Sequence, residues 1–77
     1  MDLAAERRWC VCEVQRDGFP DLVLARDGRL LFIEAKPETS ALTPSQREWQ
    51  LALRRCSGIE SYVWGPSDWT AIEKALR

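Results

Sequence analysis

Residues 21–36 read Asp21-Leu22-Val23-Leu24-Ala25-Arg26-Asp27-Gly28-Arg29-Leu30-Leu31-Phe32-Ile33-Glu34-Ala35-Lys36. Two runs of strand-forming residues flank an Asp-Gly pair, the strongest short-range signal for a two-residue hairpin turn. With that turn Arg26 faces Arg29, and stepping outward brings Asp21 opposite Glu34. Directly opposed residues share a sheet face, with Cβ atoms about 4.5–5.5 Å apart. Lys36 lies two residues beyond Glu34, so it points to the same side. The open end of the hairpin therefore gathers two carboxylates and an ammonium. A one-residue bulge in the turn would send Asp21 to the other face.

Opposed carboxylates repel unless something positive sits between them. Lys36 alone would make an ordinary ion-pair cluster on a solvated sheet face. Lys36 with a divalent cation would make a reactive site. Oxygen-only ligands suit Mg²⁺ or Mn²⁺ rather than zinc, and two carboxylates leave the remaining positions to water, backbone carbonyl or phosphate. The chain has no histidine, which excludes His-based general-base and triad chemistry.

Outward from the hairpin, residues 2–8 suit a short helix and 9–15 a first strand. Residues 16–20 form a bend. The unbroken apolar run from Leu30 to Ile33 implies that both sheet faces are covered. Residues 37–42 are loop. Thr43-Pro44-Ser45-Gln46 then starts a helix, with Thr43 at the N-cap, Pro44 at N1 and Gln46 closing a capping box. Trp49, Ala52, Leu53 and Cys56 recur at helical spacing and mark its expected buried stripe. Ser57-Gly58 stops it. Residues 59–64 suit a fourth strand, ended by Gly65-Pro66. Ser67 is the expected cap of a last helix through Leu76, with Trp69, Ile72 and Leu76 inward. The expected fold is α/β. Its mixed four-stranded sheet has three antiparallel strands, a right-handed helical crossover and one parallel strand, and is flanked by helices.

Seventy-seven residues allow one domain, spanning 1–77. Hydrophobic residues at 45% and charged residues at 30% exclude intrinsic disorder. No apolar run approaches the ~18 residues of a membrane helix. Acids near the N-terminus argue against a signal peptide, so an intracellular aqueous setting is expected. The core is marginal at this size, and support from a partner subunit or a metal is expected. A formal charge of −1 is poor for a nucleic-acid binder. However, nine of the eleven cations are Arg, the side chain best matched to phosphate. Cys10, Cys12 and Cys56 do not close a disulfide framework, and all three are expected to be reduced, packed thiols. Trp9, Trp49, Trp64 and Trp69 are expected in core or interface packing, including that of a homodimer.

Gly18-Phe19-Pro20-Asp21-Leu22, then Phe32-Ile33-Glu34-Ala35-Lys36, then Leu42-Thr43-Pro44-Ser45-Gln46 with Trp49, resembles the VRR-NUC family of the PD-(D/E)XK nuclease superfamily. The tail Tyr62-Val63-Trp64-Gly65-Pro66-Ser67-Asp68-Trp69 is also similar to the family's ending. The likeness runs from about residue 9 to the C-terminus. It implies a restriction-endonuclease-like core and a Mg²⁺- or Mn²⁺-dependent endodeoxyribonuclease. Asp21 and Glu34 would bind the metal by their carboxylates, and Ala35 by its backbone carbonyl. Lys36 would orient the attacking water or stabilise the pentacovalent phosphate. Gln46 would help orient Lys36 or touch DNA. Many members carry a further metal-facing Glu on an N-terminal helix, and Glu6 is the candidate here. Arg47, beside Gln46, and Arg16 would contact DNA. The resemblance further implies branched DNA such as four-way junctions, a homodimer, and a phage-like protein of the bacterial cytoplasm, in the cell or an infected host. A non-catalytic DNA-binding or assembly module that keeps the nuclease fold is the alternative, motivated by the short N-terminal segment and the acidic pI.

Overall fold

Asp27 and Gly28 both adopt positive φ, 50° and 80°. This is the type I′ geometry whose twist matches the flanking strands. The turn joins β2 (Leu22–Arg26) to β3 (Arg29–Ala35), with Arg26 paired to Arg29 and Leu22 to Ile33. The expected register therefore holds, without a bulge. The computed structural model describes residues 2–38 and 40–77, so the expected 37–42 loop is seen except at residue 39, which lies outside the described residues. A strand β1 (Cys10–Glu13) pairs antiparallel with β2, and β4 (Glu60–Trp64) pairs parallel with β3. The sheet order is β1-β2-β3-β4. Between β3 and β4 the chain crosses over through α2 (Pro44–Arg54). This is the mixed sheet expected from the sequence, and the restriction-endonuclease-like architecture.

Strand alternation sorts the side chains into two layers. Leu24, Leu31, Ile33 and Trp64 form one face. They pack with Ala4 of α1 (Asp2–Glu6), with Trp9, and with Ile72 and Leu76 of α3 (Trp69–Leu76). Phe32 and Glu34 point to the other face, where α2 lies. At the turn end, Arg26 and Arg29 hold their guanidinium groups 4.4 and 5.0 Å from the centre of a Trp9 ring. Trp9 Nε1 donates to the Leu76 carbonyl at 3.0 Å. Arg26 donates to the carbonyls of Arg7, Leu76 and Arg77. Arg29 binds both oxygens of Glu60, each at 2.8 Å. No described helix is long and apolar enough to cross a membrane.

Four packing expectations need correction. On α2, Trp49 and Ala52 are exposed, as is Cys56 just past its end, and the inward residues are Gln50 and Leu53. The true inward stripe runs Gln46, Gln50, Leu53, and its polar members hide it from a search for apolar spacing. Trp69 is 54% exposed although Ile72 and Leu76 on its stripe are buried. It opens α3 past the end of β4, before the helix has run back over the sheet to Trp9. Cys10 and Cys12 are free, as expected, but exposed. They lie on the edge strand, on the side of the sheet facing α2, and α2 packs over β4 instead. Lastly, Ser67 does not cap a helix. It sits within a 3₁₀ turn (Pro66–Asp68), where Asp68 Oδ2 accepts from the Gly65 N–H at 2.8 Å, and α3 begins after it.

Candidate active site

Asp21 and Glu34 are the pair next beyond Leu22 and Ile33. The Asp21 carbonyl accepts from the Val14 N–H at 2.8 Å, and its Oδ2 accepts from the Ala35 N–H at 3.0 Å. Asp21 is thereby fixed between β1 and β3, while its side chain remains exposed. Pro20 before it is buried and restricts its approach. Lys36 donates its backbone N–H to the Trp64 carbonyl at 2.9 Å. That bond extends the β3–β4 pairing by one residue and keeps Lys36 on the Glu34 side.

Glu34 is only 2% exposed. Its Oε1 accepts from Gln46 Nε2 at 2.6 Å. Its Oε2 is buried and has no hydrogen-bond partner among the described residues. Burial pushes the Glu34 carboxyl above the usual carboxylate range, and the charge of Asp21 pushes it further. Lys36, the Asp21 backbone and Gln46 pull the other way without cancelling the rise. A buried, partnerless carboxylate oxygen is costly, and a cation in contact would offset that cost.

Gln46 carries two roles in one amide. Thr43 Oγ accepts from the Gln46 N–H at 3.2 Å, and Gln46 Oε1 accepts from the Thr43 N–H at 2.9 Å, which completes the capping box. Its NH₂ group is then left to hold Glu34. The capping expectation holds, and the contact at the site is to Glu34 rather than to the expected Lys36. The helix start is pressed against the 16–20 bend. A Cβ on Gly18 would lie 1.9 Å from Ser45 Oγ, and Gly18 has φ 78°, so only glycine fits there.

Arg47 and Arg16 are exposed, and neither makes an ion pair among the described residues. Glu6 does not join the site. Cys10 pairs with Ala25, which puts α1 at the turn end of the hairpin. Asp21 is four residues further along β2, about 13 Å at 3.3 Å per residue. Among the described residues no three His, Cys, Asp or Glu side chains cluster for a metal. Gln50, one turn after Gln46 and not among the expected site residues, is also buried and has a partnerless Oε1 among the described residues. The spacing of the two glutamines was its only signal.

The donors at the open end are the oxygens of two opposed carboxylates, of which Glu34 Oε2 is buried and has no partner among the described residues. This set fits a hard divalent cation with most of its shell supplied by water and phosphate. Compared with protein-family models, the chain matches the VRR-NUC domain over residues 4–66. No curated protein and no solved structure matches it.

Proposed function

The chain belongs to the VRR-NUC family of the PD-(D/E)XK nuclease superfamily, whose domain implies nuclease activity on DNA, and from that premise we propose that it is a Mg²⁺- or Mn²⁺-dependent endonuclease. Asp21 and Glu34 hold the ion, with the Ala35 carbonyl as a further ligand. Such an ion supplies a water of lowered pKa and polarises a phosphoryl oxygen. The Lys36 ammonium stands where negative charge grows on the phosphate and compensates it. Gln46 holds Glu34 in one orientation, so the carboxylate need not reorganise when the ion arrives. Arg47 and Arg16 bind phosphates on the approach to this centre. The resemblance extends the proposal to branched DNA, to a homodimer that sets two such centres across a junction, and to a bacterial or phage-infected cytoplasm.

The observation that carries the reading is the buried Glu34 Oε2, partnerless among the described residues, on the strand position opposite Asp21 and two residues before Lys36. The test is cleavage of plasmid and synthetic junctions with Mg²⁺ or Mn²⁺. Lys36→Ala and Asp21→Asn are each expected to lower the rate by on the order of 10³-fold or more while leaving the circular dichroism unchanged. Equal cleavage by these variants overturns the assignment. Binding of DNA without cleavage by the unaltered protein would instead favour the non-catalytic module.

A further inference from the structure

Beside the proposed centre, the 14–19 segment and α2 enclose an open cleft of about 450 Å³, lined by Val14, Arg16, Asp17, Phe19 and Trp49. Trp49 lies one turn along α2 from Gln46, the residue that holds Glu34. It is 41% exposed, so part of its ring is open to a ligand. The ring is nevertheless braced. Phe19 meets it edge-on, with centroids 4.7 Å apart and planes at 78°, and Phe19 is itself braced by Phe32 of the sheet at 5.9 Å. Trp49 also lines a second hollow with Ser45, Glu48 and Ala52, so the ring stands as a wall between two open spaces.

A braced, half-exposed indole stacks on flat aromatic ligands. Beside a centre that attacks phosphodiesters, the flat ligand tethered to phosphate is a nucleobase. Arg16 offers that nucleotide's phosphate a cation, and Asp17 offers a base N–H an acceptor. In an intact duplex the faces of each base are covered by its neighbours, so only an unpaired base can enter. We propose that this cleft takes one unpaired nucleobase, stacked on Trp49 with Arg16 on its phosphate, and thereby selects DNA that has an unpaired nucleotide beside the scissile bond. The proposal rests on the nuclease reading above and names the substrate feature it recognises.

The test is a scan of binding by fluorescence anisotropy. It uses junction and flap DNA in which each unpaired nucleotide near the cleavage position is replaced in turn by an abasic one. Binding is read in a Lys36→Ala background, so that turnover does not intrude. One replacement is expected to weaken binding about tenfold, in the range of a single base–aromatic stack. Adding Trp49→Ala should remove that sensitivity, Trp49→Phe should keep most of it, and Arg16→Ala should weaken binding to every DNA in the set. If no abasic position matters, or if Trp49→Ala is as sensitive as its parent, the proposal falls. Cleavage by the unaltered protein is scored separately. Cleavage without abasic sensitivity leaves the nuclease reading standing and sinks the cleft. Abasic sensitivity that Trp49→Ala removes, without cleavage, keeps the cleft and sinks the nuclease.

Discussion

The two ends of the β2–β3 hairpin pose the same electrostatic problem and resolve it differently. At the turn end two cations, Arg26 and Arg29, are paired across the strands. At the open end two anions, Asp21 and Glu34, occupy the corresponding place. The cations are largely satisfied by the protein itself, through three carbonyls, the Glu60 carboxylate and the Trp9 ring; Arg26 Nε has no hydrogen-bond partner among the described residues, but Asp27 Oδ2 lies 3.5 Å from it. The anions receive one backbone N–H and one amide, with Lys36 acting on Glu34 only through its charge, and Glu34 Oε2 receives nothing among the described residues. One end is finished as structure. The other is unfinished in a way that a bound cation and its substrate would complete. Like-charge pairs in one hairpin are thus distinguished by what remains unsatisfied around them.

The largest effect is expected at the finished end. Trp9→Ala removes a 4% exposed side chain, its hydrogen bond to the Leu76 carbonyl and the surface under both guanidinium groups. A cost of about 3–5 kcal/mol is expected. A domain of this size has a total stability of only about 5–10 kcal/mol. Urea denaturation should show the loss directly. A loss below about 1 kcal/mol would mean that the turn end is not the anchor of the fold.

At the open end the expected sign is reversed. The Glu34 carboxyl is pushed up by burial and by Asp21, so its ionisation costs the metal-free fold stability. That cost is present at neutral pH and is relieved as pH falls through the raised value. Glu34→Gln should therefore raise the Tm of the metal-free protein at pH 7. Mn²⁺ at a hundredfold excess over Kd should stabilise the unaltered protein by about 2.7 kcal/mol, and leave Glu34→Gln unmoved. A Gln variant that melts lower than its parent without metal, or that still responds to Mn²⁺, would erase the contrast between the two ends.

Much of this contrast was readable in the sequence, because it depends on local rules. Asp27-Gly28 fixes the turn, the turn fixes the register, and the register places Asp21 against Glu34 and Arg26 against Arg29. Thr43, Pro44 and Gln46 fix the start of α2 in the same local way. What failed depends on which faces tertiary packing covers. Trp49 and Cys56 fit an apolar stripe, yet the helix turns Gln46 and Gln50 inward, because the sheet beneath them presents Glu34. Cys10 and Cys12 alternate correctly for a strand, but whether a helix covers an edge strand is not a property of that strand. Glu6 was the candidate because the resemblance implies a Glu on an N-terminal helix, whereas the β1–β2 pairing decides which end of the sheet α1 meets.

The smallest effect sharpens the comparison most, because it sets the two carboxyls against each other in one experiment. Glu60 accepts from Arg29 twice and from the Tyr62 hydroxyl at 2.6 Å, and the Arg29 bonds hold its carboxyl below the usual range. A carboxyl with a depressed folded-state pKa contributes stability above its unfolded value and loses it as pH falls through the folded value. Glu60→Gln should thus lower Tm at pH 7 and flatten the acid limb of the stability curve, whereas Glu34→Gln should raise Tm at the same pH. Arg29 and Glu60 are each about a third exposed, so solvent screening limits the loss to about 1 kcal/mol, and high salt should shrink it further. Melting curves of the metal-free parent and both variants from pH 4 to 8 decide the matter. If Glu60→Gln and Glu34→Gln shift Tm in the same direction at neutral pH, the two ends of the hairpin are not in opposite electrostatic states, and the unfinished character of the Asp21–Glu34 end loses its physical basis.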